Sequence, residues 1–336
     1  MIKDAIVKLT QKQDLTKKEM QLSIEEIMQG KASPVQISSF LTASIIKGIT
    51  VEELTAAATV MRDFSRKVKL KEKVVIDTCG TGGDNMGTFN VSTVVAMIVA
   101  GAGVTVAKHG NRSVSSKCGS ADLLEALGVK IDIGEGKVKD CIENVGIGFM
   151  FAPVFHPATK FAQPVRKELG FRTIFNFLGP LTNPAFVKYQ LVGVNSSDLL
   201  KEYVSVLKEL GSIHVMAVRG LDGLDEITTT KNTEVCELKD GKIKEFVISP
   251  GEFGIKKAEI KDILGSDVST NVKIAKEILD GKLGPKRDIA CLNAAAALYV
   301  AKAVPNIKQG FELANITIDS GRAKEKLNQL IEFTNR

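Results

Sequence analysis

Residues 74–93 read Val-Val-Ile-Asp-Thr-Cys-Gly-Thr-Gly-Gly-Asp-Asn-Met-Gly-Thr-Phe-Asn-Val-Ser-Thr. Positions 74–77 are a short apolar run closing on an acid, the pattern of the end of a buried strand. Glycines at 80, 82, 83 and 87 follow, and Asn90-Val91-Ser92-Thr93 then opens an apolar stretch, 94–102, that reads as a buried helix. Strand, glycine loop and helix N-terminus together present backbone N–H groups and a helix dipole to an anion. Glycine admits positive φ and lets the backbone approach a phosphate with no side chain between. Two familiar phosphate motifs are excluded. The loop has no lysine for Gly-x4-Gly-Lys-Ser/Thr, and Asn85 stands where Gly-x-Gly-x-x-Gly needs its third glycine. A tight structural turn is the alternative. The four glycines, the Ser/Thr helix start, and Asp84 and Asn90 as partners for hydroxyls or a metal favour an anion site.

Strand and helix patterns alternate beyond this stretch. Segments 104–107, 129–133, 148–152, 190–194 and 214–218 read as strands, and 120–127, 137–145 and 198–210 as helices. Such alternation implies a largely parallel sheet with helices on both faces. Residues 231–247 depart from it and alternate around Asp240-Gly241, a strong hairpin signal. From about Ala258 the pattern is mostly helical, and 288–303 is apolar enough to be buried.

Upstream, the first 66 residues are helical by pattern. Capping boxes stand at Thr16/Glu19, Ser33/Gln36 (with Pro34 at the first helical position) and Thr50/Glu53. Gly30 and Gly48 close the second and third helices. A bundle this small buries little surface alone, so it is expected to lean on the next domain or on a second subunit. The charged stretch 67–73 reads as a hinge. The expected class is α/β: a small all-α domain over 1–66, and a large α/β domain over 74–336 with a mostly parallel central sheet flanked by helices.

The 336 residues are 44% hydrophobic and 25% charged, ordinary for a globular enzyme. No apolar run reaches the roughly 18–20 residues that span a bilayer, and the N-terminus lacks a signal-peptide pattern. The 5 cysteines are scattered and contain no Cys-x-x-Cys, which argues against a disulfide framework or zinc site and for a cytoplasmic location. A net charge of +6 from dispersed lysines suits small anionic substrates or a solvated surface. With no Trp and 5% aromatics, base-stacking platforms for nucleic acid are not expected.

Three further constellations carry chemistry. Residues 108–120, Lys-His-Gly-Asn-Arg-Ser-Val-Ser-Ser-Lys-Cys-Gly-Ser, begin where the 104–107 strand ends, the ligand edge of a parallel sheet. Lys108, Arg112 and Lys117 supply charge, four serines supply hydroxyls, and the glycines keep the backbone approachable; an exposed basic loop is the plainer reading. Asp225 and Glu226 follow the 214–218 strand. Adjacent carboxylates there suit Mg2+, which takes one or two carboxylates plus phosphates and waters; on spacing alone they read equally as an acidic surface turn. In 149–166 an apolar strand runs into His156-Pro157, and a helix follows with Ala158 and Ala162 on one face. Arg166, one turn on, is placed to bind a carboxylate bidentately. Pro164 is positioned to kink or end that helix, and a surface arginine is the alternative. The Gly179-Pro180 turn by itself is no more than structural.

Taken together, Gly80-Thr81-Gly82-Gly83-Asp84, Asn90-Val91-Ser92-Thr93, Lys108-His109-Gly110-Asn111-Arg112-Ser113, Leu221-Asp222-Gly223-Leu224-Asp225-Glu226, His156-Pro157-Ala158 and Gly179-Pro180-Leu181-Thr182-Asn183-Pro184 resemble the anthranilate phosphoribosyltransferase family over essentially the full length. The resemblance implies Mg2+-dependent transfer of phosphoribose from phosphoribosyl pyrophosphate to the amine of anthranilate, in tryptophan biosynthesis. It implies that Gly80, Gly83, Asp84, Thr88, Asn90, Val91, Ser92, Thr93, Lys108, His109, Gly110, Asn111, Arg112, Ser113, Val114, Ser115, Ser116 and Ser120 hold phosphoribosyl pyrophosphate. Ser92, Asp225 and Glu226 would serve the metal. Gly80, Asn111, His156, Arg166 and Gly179 would face anthranilate, with Lys108, His109 and Arg166 as the catalytic set. A homodimer packed through the α domain, completed by a segment near 170–186, is also implied. Two rivals share the scaffold: a pyrimidine nucleoside phosphorylase, which would not need the Asp225-Glu226 pair, and a nucleic-acid-binding relative with a broad basic face.

Overall fold

The computed structural model describes residues 1–84, 86–113 and 117–336. Asn85 and three of the expected phosphate-binding residues, Val114, Ser115 and Ser116, lie outside the described residues. Four helices come first: α1 (Ile2–Thr10), α2 (Lys17–Met28), α3 (Pro34–Lys47) and α4 (Val51–Asp63). All three expected capping boxes are formed in both directions, and Gly48, at φ 89°, ends α3. Glu53 does more than cap. Its buried carboxylate also accepts from the Leu15 N–H at 2.9 Å and pairs with Lys47 at 2.6 Å, so one side chain joins three segments of the bundle.

The α/β part runs β1 (Val75–Gly80), α5 (Val91–Gly101), β2 (Thr105–Gly110), α6 (Ser120–Ala126), α7 (Glu135–Val145), β3 (Ile147–Phe151), α8 (Ala152–Phe155), α9 (Gln163–Leu169), α10 (Ile174–Leu178), β4 (Tyr189–Gly193), α11 (Ser197–Glu209), β5 (His214–Gly220), β6 (Thr233–Lys239), β7 (Lys242–Ile248), α12 (Val268–Leu279), α13 (Pro285–Val300), α14 (Ile307–Asp319) and α15 (Arg322–Asn335). Among the described residues, seven strands form one sheet in the order β3-β2-β1-β4-β5-β6-β7. The first five pair in parallel, and the β6–β7 hairpin is antiparallel, turning at Asp240 and Gly241 with φ of 50° and 74°.

Successive strand residues point to opposite faces, and the cores divide accordingly. Ile76, Val106, Leu191 and Met216 pack under α5, α13, α14 and α15. Their neighbours Val192, Val215 and Ala217 face the other way. They join a cluster that continues through α11 and residues 162–181 into the N-terminal helices. Among the described residues, no helix is long and apolar enough to cross a membrane.

Four expectations need correction. The segment 129–133 is not a strand: Val129, Ile131 and Ile133 are buried and alternate with exposed residues, yet the Lys130 N–H donates to Thr334 on α15 rather than to a ladder. Packing beneath a helix produced the same period. β1 runs on to Gly80 and β2 to Gly110, because glycine and buried polar residues continued to pair beyond the apolar runs. Lys108, His109 and Gly110 are therefore strand residues, not loop residues. The expected single helix after His156-Pro157 is split. A 3-10 turn (Pro157–Phe161) ends before α9, where Pro164 occupies the first turn, its missing N–H harmless there.

Close helix packing supplies a test remote from the ligand edge. A Cβ on Gly310 of α14 would stand 2.5 Å from the Ala295 carbonyl of α13. Gly310→Ala should lower stability by about 1–3 kcal/mol, read in a denaturant titration. Unchanged stability would contradict the packing.

Candidate active site

Strands β1, β2 and β3 step one way across the sheet, and β4 and β5 step the other. A crevice thus opens at the carboxyl ends of β1 and β4, where ligands bind in open α/β sheets. The glycine loop leaves β1 there. The Thr81 N–H donates to the Gly193 carbonyl at 2.9 Å, tying the loop to β4. At its far end Asn90 caps α5, accepting from the Thr93 N–H at 3.3 Å. The Asn90 N–H in turn donates to the buried Asn271 carboxamide of α12 at 2.8 Å, and Thr88 forms an isolated bridge with Leu264. Both halves of the loop are held by distant parts of the chain.

The turn after β5 lies across the same edge. Asp222 clamps it from within, accepting from the Leu224 N–H at 3.1 Å and from the hydroxyls of Thr228 and Thr230. Asn293, buried in α13, takes the Ile227 N–H at 2.9 Å and returns its amide to the Ile227 carbonyl at 2.8 Å. Asp225 is thereby lodged over β1 and β4. A Cβ on Gly193 would collide with its carbonyl, one on Gly80 would meet its carboxylate at 2.8 Å, and the Gly82 N–H donates to that carboxylate at 2.9 Å.

Asp84, Asp225 and Glu226 crowd together. Burial, and then the neighbouring Asp84, push the Asp225 carboxyl up to about 7. Burial, followed by Asp225, raises Glu226 well above the usual carboxylate range, and Lys108 and the Ser92 backbone oppose the shift. Like carboxylates held together out of water resist ionisation unless a cation joins them. This donor set fits Mg2+. Among the described residues no three His, Cys, Asp or Glu side chains converge to hold a metal by themselves, so Mg2+ here would also need oxygens from substrate or water. Opposite them, Lys108 is buried, donating to the Thr78 carbonyl and to the Ser92 hydroxyl at 3.2 Å. Burial lowers its pKa, and Asp77 and Glu226 are among the charges that oppose the shift.

A second group is neutral. The His109 Nδ1 donates to the Gly179 carbonyl at 3.2 Å, and its ring lies 5.1 Å from that of His156. Burial lowers His109 to about 3 and His156 to about 4. Nε2 of each ring is buried and unpartnered, as are the hydroxyls of Thr81 and Thr93. Beneath them Asn183 donates to the buried Asp77 carboxylate at 2.8 Å and to the Ala107 carbonyl at 2.9 Å, fastening the Gly179-Pro180 turn to the sheet.

Arg166 stands apart on α9, half-buried, 5.2 Å from the Phe175 ring centroid. Burial lowers its pKa, and its guanidinium has no hydrogen bond or ion pair among the described residues. Arg112 is differently placed. It points onto α6 and pairs with Glu125 at 2.7 Å and Asp122 at 3.0 Å, so its guanidinium braces the loop that bears Asn111. Ser120 donates to the Asn111 carbonyl at 3.3 Å, and a Cβ on Gly110 would collide with that hydroxyl. The Ser113 N–H donates to Asp122 at 3.0 Å. Gly83 abuts Arg172, and Val91 is buried beneath the start of α5. Asp77, Arg172, Asn183, Asn271 and Asn293 also serve this region and were not expected to. Each acts through a contact distant in sequence, and only Asn183 lies inside a motif.

A short N-terminal segment and the long remainder of the chain match two parts of one enzyme class. Residues 3–65 match the model of the glycosyl transferase family helical bundle domain, and residues 72–324 match that of its a/b domain. An anthranilate phosphoribosyltransferase from Acetivibrio thermocellus is 51% identical over 335 residues, covering 100% of this chain and 97% of that one. The chain belongs to the anthranilate phosphoribosyltransferase family. The crystal structure of the Thermus thermophilus enzyme of that name is similar with a TM-score of 0.94 and 38% identity, covering 99% of this chain and 100% of that one. The Saccharomyces cerevisiae enzyme, in complex with phosphoribosyl pyrophosphate and Mg, gives a TM-score of 0.91 at 29% identity, with 99% of this chain and 98% of that one covered.

The neutral histidines set a pH dependence. A free imidazole titrates near 6.5, so the unfolded chain binds more protons than the folded one as pH falls below that value. The stabilisation is complete above about 6.5 and is lost as pH drops towards about 4 for His156 and about 3 for His109. The Cε1–H resonances of both, assigned with His→Gln variants, should not titrate between pH 5.5 and 8. A midpoint near 6.5 at either would contradict their burial.

Proposed function

We propose that the chain transfers the 5-phosphoribosyl group of phosphoribosyl pyrophosphate to the amine of anthranilate, giving N-(5-phosphoribosyl)anthranilate and pyrophosphate in tryptophan biosynthesis. The observation that carries this reading is the division of the crevice. A glycine loop, half-buried carboxylates and Lys108 form a charged side, while neutral histidines and an unpaired arginine form the other.

Gly80, Gly83, Asp84, Thr88 and Asn90 to Thr93 form the donor side, together with Lys108 to Ser113 and Ser120. Backbone N–H groups at the start of α5 suit phosphate oxygens. Asp225 and Glu226, with Ser92 beside them, are the residues to hold Mg2+, which when bound neutralises charge developing on the pyrophosphate. The amine nitrogen attacks the ribose C1, the bond from C1 to the pyrophosphate oxygen breaks with its electron pair on oxygen, and the nitrogen gives up one proton to water or to the departing pyrophosphate. Positive charge grows on the sugar and negative charge on the leaving group, so a fixed ammonium at Lys108 stabilises the transition state. His109, lowered to about 3, is a poor base at neutral pH and serves through its Nε2 as a hydrogen-bond acceptor. Arg166 pairs with the acceptor's carboxylate; the Phe175 ring fixes its plane, and partial burial strengthens the pair. His156, Gly179 and Asn111 complete the acceptor side. Arg112 contributes through the loop it braces.

The same reading places the hinge at 67–73, between a small domain over 1–66 completed near 170–186 and the large domain from 74. It makes the protein a cytoplasmic homodimer packed through the N-terminal helices, where Val7, Val35 and Ile46 are exposed. The nucleoside phosphorylase alternative is disfavoured by the carboxylate cluster.

Two measurements test the proposal. Anthranilate fluorescence should fall with phosphoribosyl pyrophosphate and Mg2+ and hold steady with EDTA; metal-independent consumption, or none from folded protein, would overturn the reading. Arg166→Ala should raise the anthranilate KM by about tenfold or more, as expected for a charged hydrogen bond of roughly 1.5–3 kcal/mol, with little change for phosphoribosyl pyrophosphate. Equal losses for both substrates would remove Arg166 from the acceptor side.

A further inference from the structure

A second arginine crosses the crevice without a part in the reaction as described. Arg172 precedes α10, whose Ile174, Phe175 and Leu178 are buried in one cluster with the N-terminal helices. Its side chain leaves that cluster for the glycine loop. Nη1 donates to the Gly82 carbonyl at 2.7 Å, and the guanidinium lies 5.5 Å from the Phe177 ring centroid. That aromatic platform is fixed in turn, since buried Tyr203 of α11 donates to the Phe177 carbonyl at 2.7 Å. The approach depends on glycine at 83. With φ +78° the position disfavours a side chain, and a Cβ there would collide with Nη1.

The contact set is incomplete. Burial lowers the Arg172 pKa while Asp225 opposes the shift, yet no carboxylate forms an ion pair with it among the described residues. Nη2 is buried and has no hydrogen-bond partner among the described residues. A buried charged donor left unmade is costly. It is well placed when a second molecule brings the acceptor, and Gly82-Gly83 is the turn along which the phosphates of the donor substrate would lie.

We propose that Arg172 is a positioning residue for the donor substrate. Through Nη1 it fixes the Gly82-Gly83 turn against the 170–182 segment, and it keeps Nη2 for an anionic oxygen of the pyrophosphoryl group. The inference rests on the phosphoribosyl-transfer reading. Arginine's planar fork is essential to both contacts, because lysine supplies charge without the paired geometry.

The test is direct calorimetric titration of the full-length protein with phosphoribosyl pyrophosphate and Mg2+, without anthranilate, alongside steady-state kinetics. Arg172→Ala should weaken donor binding at least tenfold and lower kcat, while the anthranilate KM changes less than threefold. Arg172→Lys should recover only part of the loss. Should the alanine variant misfold, Arg172→Gln retains an amide N–H for the Gly82 carbonyl and should show the same weakened donor binding. A folded Ala or Gln variant that binds the donor as tightly as the parent overturns the inference and leaves the transfer reading intact. A parent protein that does not bind the donor overturns both.

Discussion

The turn after β5 can cross the sheet edge only because two strand ends lack side chains. Gly193 yields to the Asp225 carbonyl, and Gly80 yields to its carboxylate. From that single approach the rest of the charged side takes its register: Gly82 donates to Asp225, and Lys108 spans Thr78 and Ser92. Any residue larger than glycine at 193 would lift the carboxylates off the β1 loop and separate the groups that must act together. Asn271 and Asn293 hold the two loops from behind, so the arrangement exists before a substrate arrives.

Burial acts differently on the two sides of the crevice. Around the glycine loop it concentrates like charges, raising Asp225 and Glu226 and lowering Lys108. On the acceptor side it removes charge, keeping both histidines neutral. An aromatic amine must attack as the neutral species, and a neutral wall does not compete for its lone pair. In the proposed transfer Arg166, whose guanidinium is unpaired among the described residues, would supply direction by giving a planar carboxylate one partner and one orientation.

Local chemistry was legible in the sequence wherever one short segment decides the outcome. The Thr16, Ser33 and Thr50 caps and the Asp240-Gly241 turn formed as read, since each needs only neighbours within a few residues. The glycine loop was legible as backbone: Gly82, Gly83 and Gly87 take φ of 62°, 78° and 69° between β1 and α5. Residues 129–133 misled, because a helix laid over an extended segment buries alternate side chains as a sheet does. Polar strand ends at Lys108 to Gly110 were missed for the opposite reason: pairing there owes nothing to apolar pattern. Arg112 reads in the sequence as a phosphate ligand, and its ion pairs with Glu125 and Asp122, ten or more positions away, carried no local signal. Asn271, Asn293 and Arg172 carried no local signal at all, for their partners lie far off in the chain.

The apolar cluster that runs from α1 through residues 162–181 onto β4 and β5 also bears on how the chain is made. The N-terminal helices leave the ribosome first, but much of the surface that covers them is translated more than a hundred residues later. At roughly 5–20 residues per second the bundle waits on the order of ten seconds with part of its apolar face uncovered. Its reciprocal caps and the buried Glu53 clamp, all closed within residues 15–53, are what can hold the helices in shape during that interval.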